Sequence, residues 1–186
     1  MLQRAVFLDR DGVINRAVVR QGKPHPPASL AEVEWLPGVG DAITALRSLG
    51  FRVIVVTNQP DVGNGVQAQE TVEAIHAELR RRCPIDDIKT CYHVEADGCA
   101  CRKPKPGMLL EAARQWDVDL SRSVMVGDRW RDIEAGRAAG CKTILIAAAY
   151  DERQAEHLDA VVPSLVDAGI LICSGWLDHQ PTEVGA

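Results

Sequence analysis

No apolar run in this chain approaches the ~20 residues that a membrane-crossing helix needs, so no segment reads as a transmembrane span and no membrane partner is expected. Positive charge is not in excess either. Lys and Arg number 21 against 26 Asp and Glu, a net charge of −5, which argues against a surface built for nucleic acid or anionic lipid. A local basic pocket for a small phosphate remains compatible with that balance. There are no internal repeats or low-complexity tracts. The first candidate catalytic residue, Asp9, lies too near the start to leave room for a signal peptide, and a cytoplasmic protein is expected. In such a reducing compartment the six cysteines read as thiols or metal ligands rather than a disulfide framework.

With 186 residues, 46% of them hydrophobic, the chain is long enough for one well-buried α/β domain and short for two. A single domain is expected over 1–174, acting as a monomer, with 175–186 as a loosely held tail because it lacks periodicity. Short apolar, β-branched runs at 5–8, 51–57, 88–93, 123–126 and 143–146 predict strands. Periodic apolar positions predict helices over 38–49, 68–82, 107–116 and 130–139, with Gly50 as a helix stop. An edge strand within 158–162 and a closing helix over 165–171 are expected after a polar connector. Strands of this kind alternating with helices imply a parallel sheet covered on both faces, which binds ligands beyond the carboxyl ends of its strands.

Those ends carry the chemistry-bearing residues. Asp9-Arg10-Asp11-Gly12 follows the first strand. Such a pair suits phosphoryl transfer, since one Asp can attack phosphorus while the other protonates the leaving oxygen and then activates water. In an arbitrary loop Asp-x-Asp is merely a turn; recurrence at other strand ends gives it weight. Thr57-Asn58-Gln59 closes the second predicted strand, Thr57 offering a hydroxyl to phosphate oxygens or simply capping the strand. Gly127-Asp128, with Asp132 four residues on, closes the fourth. Asp128 either caps the next helix or converges with Asp9 into a hard oxygen site suited to Mg²⁺. Between them, Arg102-Lys103-Pro104-Lys105-Pro106 is a stiff loop entering a helix: Lys103 suits a transferring phosphoryl group, and Arg102 a bidentate hold on a substrate anion.

Cys91-x-His93 and Cys99-x-Cys101 place three thiolates and one imidazole within eleven positions, the composition of a closed structural Zn²⁺ site. Such a site would pin 94–98 and aim Arg102 and Lys103. Cys141 and Cys173 read as buried small hydrophobes, and Cys83 has no partner at ligand spacing. Trp35 and Trp130 are expected to pack.

Taken together, Asp9-Arg10-Asp11-Gly12-Val13-Ile14-Asn15, Thr57-Asn58-Gln59, Cys91-x-His93 with Cys99-x-Cys101-Arg102-Lys103-Pro104, and Gly127-Asp128-Arg129-Trp130-Arg131-Asp132 resemble haloacid dehalogenase (HAD) superfamily phosphatases of the heptose-bisphosphate and histidinol-phosphate subclass. The resemblance spans positions 9–132. It implies a three-layer, Rossmann-like fold with little or no cap domain and a zinc-bound loop. It implies Asp9 as nucleophile, Asp11 as acid and base, and Thr57 and Lys103 as phosphoryl stabilisers, with Asn58, Gln59, Arg102 and Arg129 toward the substrate. Mg²⁺ would be held by Asp9, the Asp11 backbone carbonyl and Asp128, with Asp132 contributing through water. The implied reaction is removal of the C7 phosphate from a heptose 1,7-bisphosphate, with histidinol phosphate or another small sugar phosphate as the alternative substrate and a zinc-stabilised binding protein without turnover as the remote one. Two segments depart from the heptose pattern: Pro60-Asp61-Val62-Gly63-Asn64-Gly65 after the Thr57 motif, and the stretch after Asn15 with Arg16, Arg20, Lys23 and Pro24-His25-Pro26-Pro27. Both bear on the substrate and leave the reaction type untouched.

Overall fold

The computed structural model describes residues 2–178. Strand β1 (Arg4–Leu8) leads into a hairpin, β2 (Val18–Arg20) and β3 (Lys23–His25). Then come α1 (Val39–Ser48), β4 (Phe51–Asn58), the single turn α2 (Pro60–Gly63), α3 (Gln69–Arg82), β5 (Asp87–Cys91) and α4 (Gly107–Trp116). β6 (Val124–Gly127), α5 (Trp130–Ala139), β7 (Lys142–Ile146), β8 (Ala160–Val162) and α6 (Leu165–Cys173) complete the order. Six strands form one sheet, β5-β4-β1-β6-β7-β8, paired in parallel throughout.

Ala5, Val6, Phe7 and Leu8 are all fully buried because β1 is covered on both faces. Its side chains alternate between two cores. Val6 and Leu8 join Val53, Val55 and Val126 against Ile43 and Leu46 of α1 and Leu165 and Ile172 of α6. Ala5 and Phe7 join Ile54, Val56 and Met125 against Met108, Leu109 and Ala112 of α4 and Ala135 of α5. Emptying this centre with Phe7→Ala would cost about 3–5 kcal/mol. Gly50, at φ 82°, ends α1 where the sequence places a stop, its N–H reaching Arg47 O at 2.9 Å. The chain runs from β1 to β4 and β5, then crosses back to β6 on the other side of β1. The crevice at that reversal lies where β1, β4 and β6 end.

The β2–β3 hairpin and α2 are additions to the sequence-based expectation. Gln21 and Gly22 turn the hairpin with φ 51° and 75°. Two expectations need correction or restriction. Cys173 is exposed, since it stands at the last turn of α6 rather than inside it; Cys141 is buried as expected. Of the expected loose tail, Trp176–Asp178 forms a 3₁₀ turn, with Trp176 and Leu177 packed on the core and Asp178 paired to Arg4; 179–186 lie outside the described residues. Among the described residues no helix is long and apolar enough to cross a membrane.

Candidate active site

The chain leaves β1 through a tight turn in which Arg10 O accepts from the N–H groups of Ile14 and Asn15. Gly12 has to be glycine there: its φ is +89°, and a Cβ would stand 1.8 Å from Asp128 Oδ2. That closeness is the convergence of the β1 and β6 ends. Carboxylate oxygens of Asp9, Asp128 and Asp132 lie within 4.8 Å of one another, and all three residues are buried.

Lys103 enters this acidic cluster from the loop before α4. Its Nζ is 2.9 Å from Asp9 Oδ1 and 2.5 Å from Asp132 Oδ1, and it donates to Val56 O at 2.7 Å. Burial opposes its charge, but the Asp132 and Asp9 carboxylates outweigh that and raise its pKa. Asn58 clamps the lysine's backbone, donating to Lys103 O at 3.0 Å and accepting from its N–H at 3.1 Å. Burial lifts Asp9 to about 6, against the lowering pull of Lys103 and with Asp132 and Asp11 adding to the rise. Asp128 is likewise raised well above the ordinary carboxylate range, by burial and then by Asp9 and Asp132. One lysine is therefore set against three carboxylates. Asp128 Oδ2 accepts from Tyr150 OH at 2.6 Å, while Oδ1 is buried without a partner. An excess of buried negative charge and an orphaned carboxylate oxygen fit a hard divalent cation.

Asp11 is held apart from this cluster. Arg10 Nη2 is 2.9 Å from its Oδ2, Asn15 Nδ2 donates to Oδ1 at 2.9 Å, and Gln59 Nε2 donates to Oδ2 at 2.8 Å. Burial opposes ionisation, yet Arg10 and these donors outweigh it and lower the pKa of Asp11. Gln59 also donates to Thr57 Oγ1 at 2.9 Å and is itself fully buried. It holds two other side chains and, unlike Asn58, does not line the cleft.

A cleft of about 190 Å³ opens above Asp9 and Asp11, lined also by Asn58, Arg102, Lys103, Arg129, Arg131 and Asp132 and roofed by Pro24, His25 and Pro26 of the hairpin. Arg102 donates to His93 O at 3.3 Å, and Arg129 is paired with Glu152. The sequence marked no role for His25, Arg131 or Tyr150. Tyr150 lay in a polar connector with no periodic signal.

Beside the cleft, Cys91, His93, Cys99 and Cys101 form a second cluster. Cys101 Sγ is 3.2 Å from Cys91 Sγ, 3.4 Å from Cys99 Sγ and 3.3 Å from His93 Nδ1. These separations are near the ~3.8 Å edge of a tetrahedron built on Zn–S bonds of about 2.3 Å. Burial pushes the Cys91 thiol up to about 12, so a cation is needed to make it a thiolate. Arg102 and Lys103 directly follow the last of these residues.

The HAD-hydrolase-like family model matches residues 100–168. A Rhodopseudomonas palustris protein named D-glycero-beta-D-manno-heptose-1,7-bisphosphate 7-phosphatase is 39% identical over 148 residues, covering 73% of this chain and 79% of its own. A Mycobacterium tuberculosis protein named as the 7-phosphatase of the alpha anomer is 37% identical over 158 residues, 79% of this chain and 81% of its own. Among solved structures, the D,D-heptose 1,7-bisphosphate phosphatase of B. bronchiseptica complexed with magnesium and phosphate superposes with a TM-score of 0.81 at 32% identity, covering 92% of this chain and 99% of its own.

Proposed function

The chain belongs to the HAD-type heptose-1,7-bisphosphate 7-phosphatase family, and on that premise we propose that it removes the C7 phosphate of a D-glycero-D-manno-heptose 1,7-bisphosphate through a phosphoryl-enzyme on Asp9. The observation that carries this reading is the meeting of Asp9, Lys103, Asp128 and Asp132 at the ends of β1 and β6, beneath a cleft lined with arginines.

In the first half-reaction an Asp9 carboxylate oxygen forms a bond to phosphorus while the bond from phosphorus to the sugar oxygen breaks. Asp11, ionised before substrate binds, takes up a proton when the substrate's negative charge is bound beside it and delivers that proton to the departing oxygen, so that the sugar leaves as an alcohol. In the second, Asp11 takes a proton from water, whose oxygen attacks the phosphorus; inorganic phosphate departs and Asp9 is restored. Lys103 keeps Asp9 ionised and stabilises the charge on the transferring group, with Thr57 donating to its oxygens. Arg102 and Arg129 hold the part of the substrate that is not hydrolysed. Asp9, Asp128 and the Asp11 carbonyl would hold Mg²⁺, with Asp132 behind them, and the ion would supply charge neutralisation for the phosphate and its attacking carboxylate. The Cys91, His93, Cys99 and Cys101 cluster would hold Zn²⁺ as a structural ion that fixes the loop before Arg102.

The test is kcat/KM for the α and β anomers of the heptose bisphosphate, fructose 1,6-bisphosphate and histidinol phosphate, with the released position read by ³¹P NMR. A heptose 1-phosphate product and a preference for one heptose anomer are expected. A preference for histidinol phosphate would overturn the substrate.

A further inference from the structure

Among the described residues Arg10 is the bulkiest side chain buried completely, and it stands between the two aspartates of the site without belonging to either role. Its guanidinium makes a forked contact with Asp11, Nη2 at 2.9 and 3.1 Å and Nε at 3.2 Å. The remaining nitrogen, Nη1, meets His76 Nε2 at 3.1 Å. His76 comes from the inward face of α3 and is 1% exposed.

The chemistry of this contact has one solution. A guanidinium only donates, so Nε2 must accept, and the imidazole is neutral with its proton on Nδ1, which faces Glu73 Oε2 at 3.7 Å. Burial and then Arg10 hold the His76 pKa down to about 4, in keeping with that state. A buried charge with a single carboxylate partner is a poor device for stability, because apolar residues of the same volume do as well or better. A polar pair retained here therefore points to geometry. The guanidinium is planar and its five donors are fixed relative to one another, so anchoring Nη1 on His76 sets the plane in which the fork meets Asp11.

We propose that His76 is a positioning residue: by accepting from Arg10 it fixes the guanidinium that aims the Asp11 carboxylate into the cleft. The inference rests on Asp11 being the group that protonates the departing sugar oxygen. In that step the proton passes from the Asp11 carboxyl to the oxygen as its bond to phosphorus breaks. A misaimed Asp11 would therefore harm leaving groups that need a proton more than those that do not.

The experiment compares kcat/KM, which reports steps up to leaving-group release, for the heptose bisphosphate and for p-nitrophenyl phosphate, whose phenolate departs without a proton. His76→Leu is expected to lose about 10–100-fold on the sugar phosphate, part of the 10²–10⁴ that general acid catalysis contributes, and at least tenfold less than that on p-nitrophenyl phosphate. His76→Gln, whose amide oxygen can accept from Arg10, is expected to recover the sugar activity to within about threefold of the unaltered protein. Equal losses on both substrates, no loss, or a Gln variant no better than Leu would overturn the proposal. Should His76→Leu lack a cooperative thermal transition, Arg10→Lys replaces it, with the same selective loss expected and an equal loss contradicting it. Asp11→Asn measured in parallel separates the two levels. If it lacks the selective loss, the reading of Asp11 fails; if it has the loss and the His76 variants do not, only the present inference fails.

Discussion

Lys103 Nζ lies 2.9 Å from Asp9 Oδ1, a buried ion pair in which the cation arrives from a loop 94 residues downstream of the carboxylate. In the proposed mechanism the pair favours the ionised Asp9 that attacks phosphorus, because Lys103 pulls its pKa down against burial and the neighbouring carboxylates, which raise it. Lys103→Met is therefore expected to lower kcat/KM by about 10²–10³ on every phosphomonoester alike, because the group it serves is common to all. Steady-state kinetics on the heptose bisphosphate and p-nitrophenyl phosphate check this; a loss confined to the sugar would move Lys103 into substrate selection.

Arg102 is expected to behave in the opposite way. It lines the cleft and does not touch Asp9, so its substitution by Ala should weaken bisphosphates far more than simple monoesters. A charge-assisted contact of about 1.5–3 kcal/mol corresponds to a loss of roughly ten- to a hundredfold in kcat/KM. The measurement is the ratio of the heptose bisphosphate to p-nitrophenyl phosphate in Arg102→Ala, and an unchanged ratio would remove Arg102 from recognition.

The two candidate metal clusters should separate by exchange. Elemental analysis of the purified protein is expected to give about one zinc per chain, lost in Cys101→Ser, since a closed thiolate site binds with about 10–16 kcal/mol of apparent free energy. Mild chelation followed by Mg²⁺ alone should restore turnover. A requirement for zinc in that restoration, with the Cys91 loop still folded, would contradict a structural role for the thiolates.

His76 gives the fold a pH dependence of definite sign. Its native pKa of about 4 lies below the ~6.5 of an unfolded histidine, so the unfolded chain binds more protons and stability rises with pH. The contribution is fully present above about 6.5 and lost as pH falls from there toward 4, in total on the order of 3 kcal/mol at 1.36 kcal/mol per unit. Urea unfolding of the unaltered protein and of His76→Gln at several pH values checks it. Protonation within the Cys91, His93, Cys99 and Cys101 cluster affects both proteins equally, so the difference between their stability curves should shrink or reverse over that window as pH falls. Parallel curves would contradict it.

What was legible in the sequence follows from period and run length. Ala5 to Leu8, Val53 to Val56 and Val124 to Val126 are short, apolar and fully buried, and such runs mark parallel strands without any knowledge of the partners. The residues that end them, Asp9, Thr57 and Asp128, were visible for the same reason. The β2–β3 hairpin was not, because its strands have three residues each, contain Pro24, and turn on Gln21-Gly22 rather than an Asn-Gly or Asp-Gly pair. Arg10 was hidden as the spacer of its own motif: nothing local distinguishes a solvated arginine from one whose charge is buried against a helix 66 residues away. His76 carried a faint signal, a polar residue in the inward stripe of Val72, Ile75 and Leu79. Tyr150 carried none, since its bond to Asp128 exists only once β6 and the segment after β7 lie side by side.

Asp9→Asn should retain the fold, the side chains being nearly isosteric, and lose activity on all substrates because an amide cannot form the acyl-phosphate. Thermal unfolding together with kcat checks both halves; activity within tenfold of the unaltered protein would contradict the assignment.

The covalent route itself is tested most directly by the stereochemistry at phosphorus, using an ester whose phosphoryl group is made chiral with oxygen isotopes and whose transfer to an acceptor alcohol is followed by ³¹P NMR. Attack by Asp9 and then by the acceptor each invert the configuration, so the account expects overall retention. Inversion would mean a single direct displacement, and would contradict a phosphoryl-enzyme on Asp9.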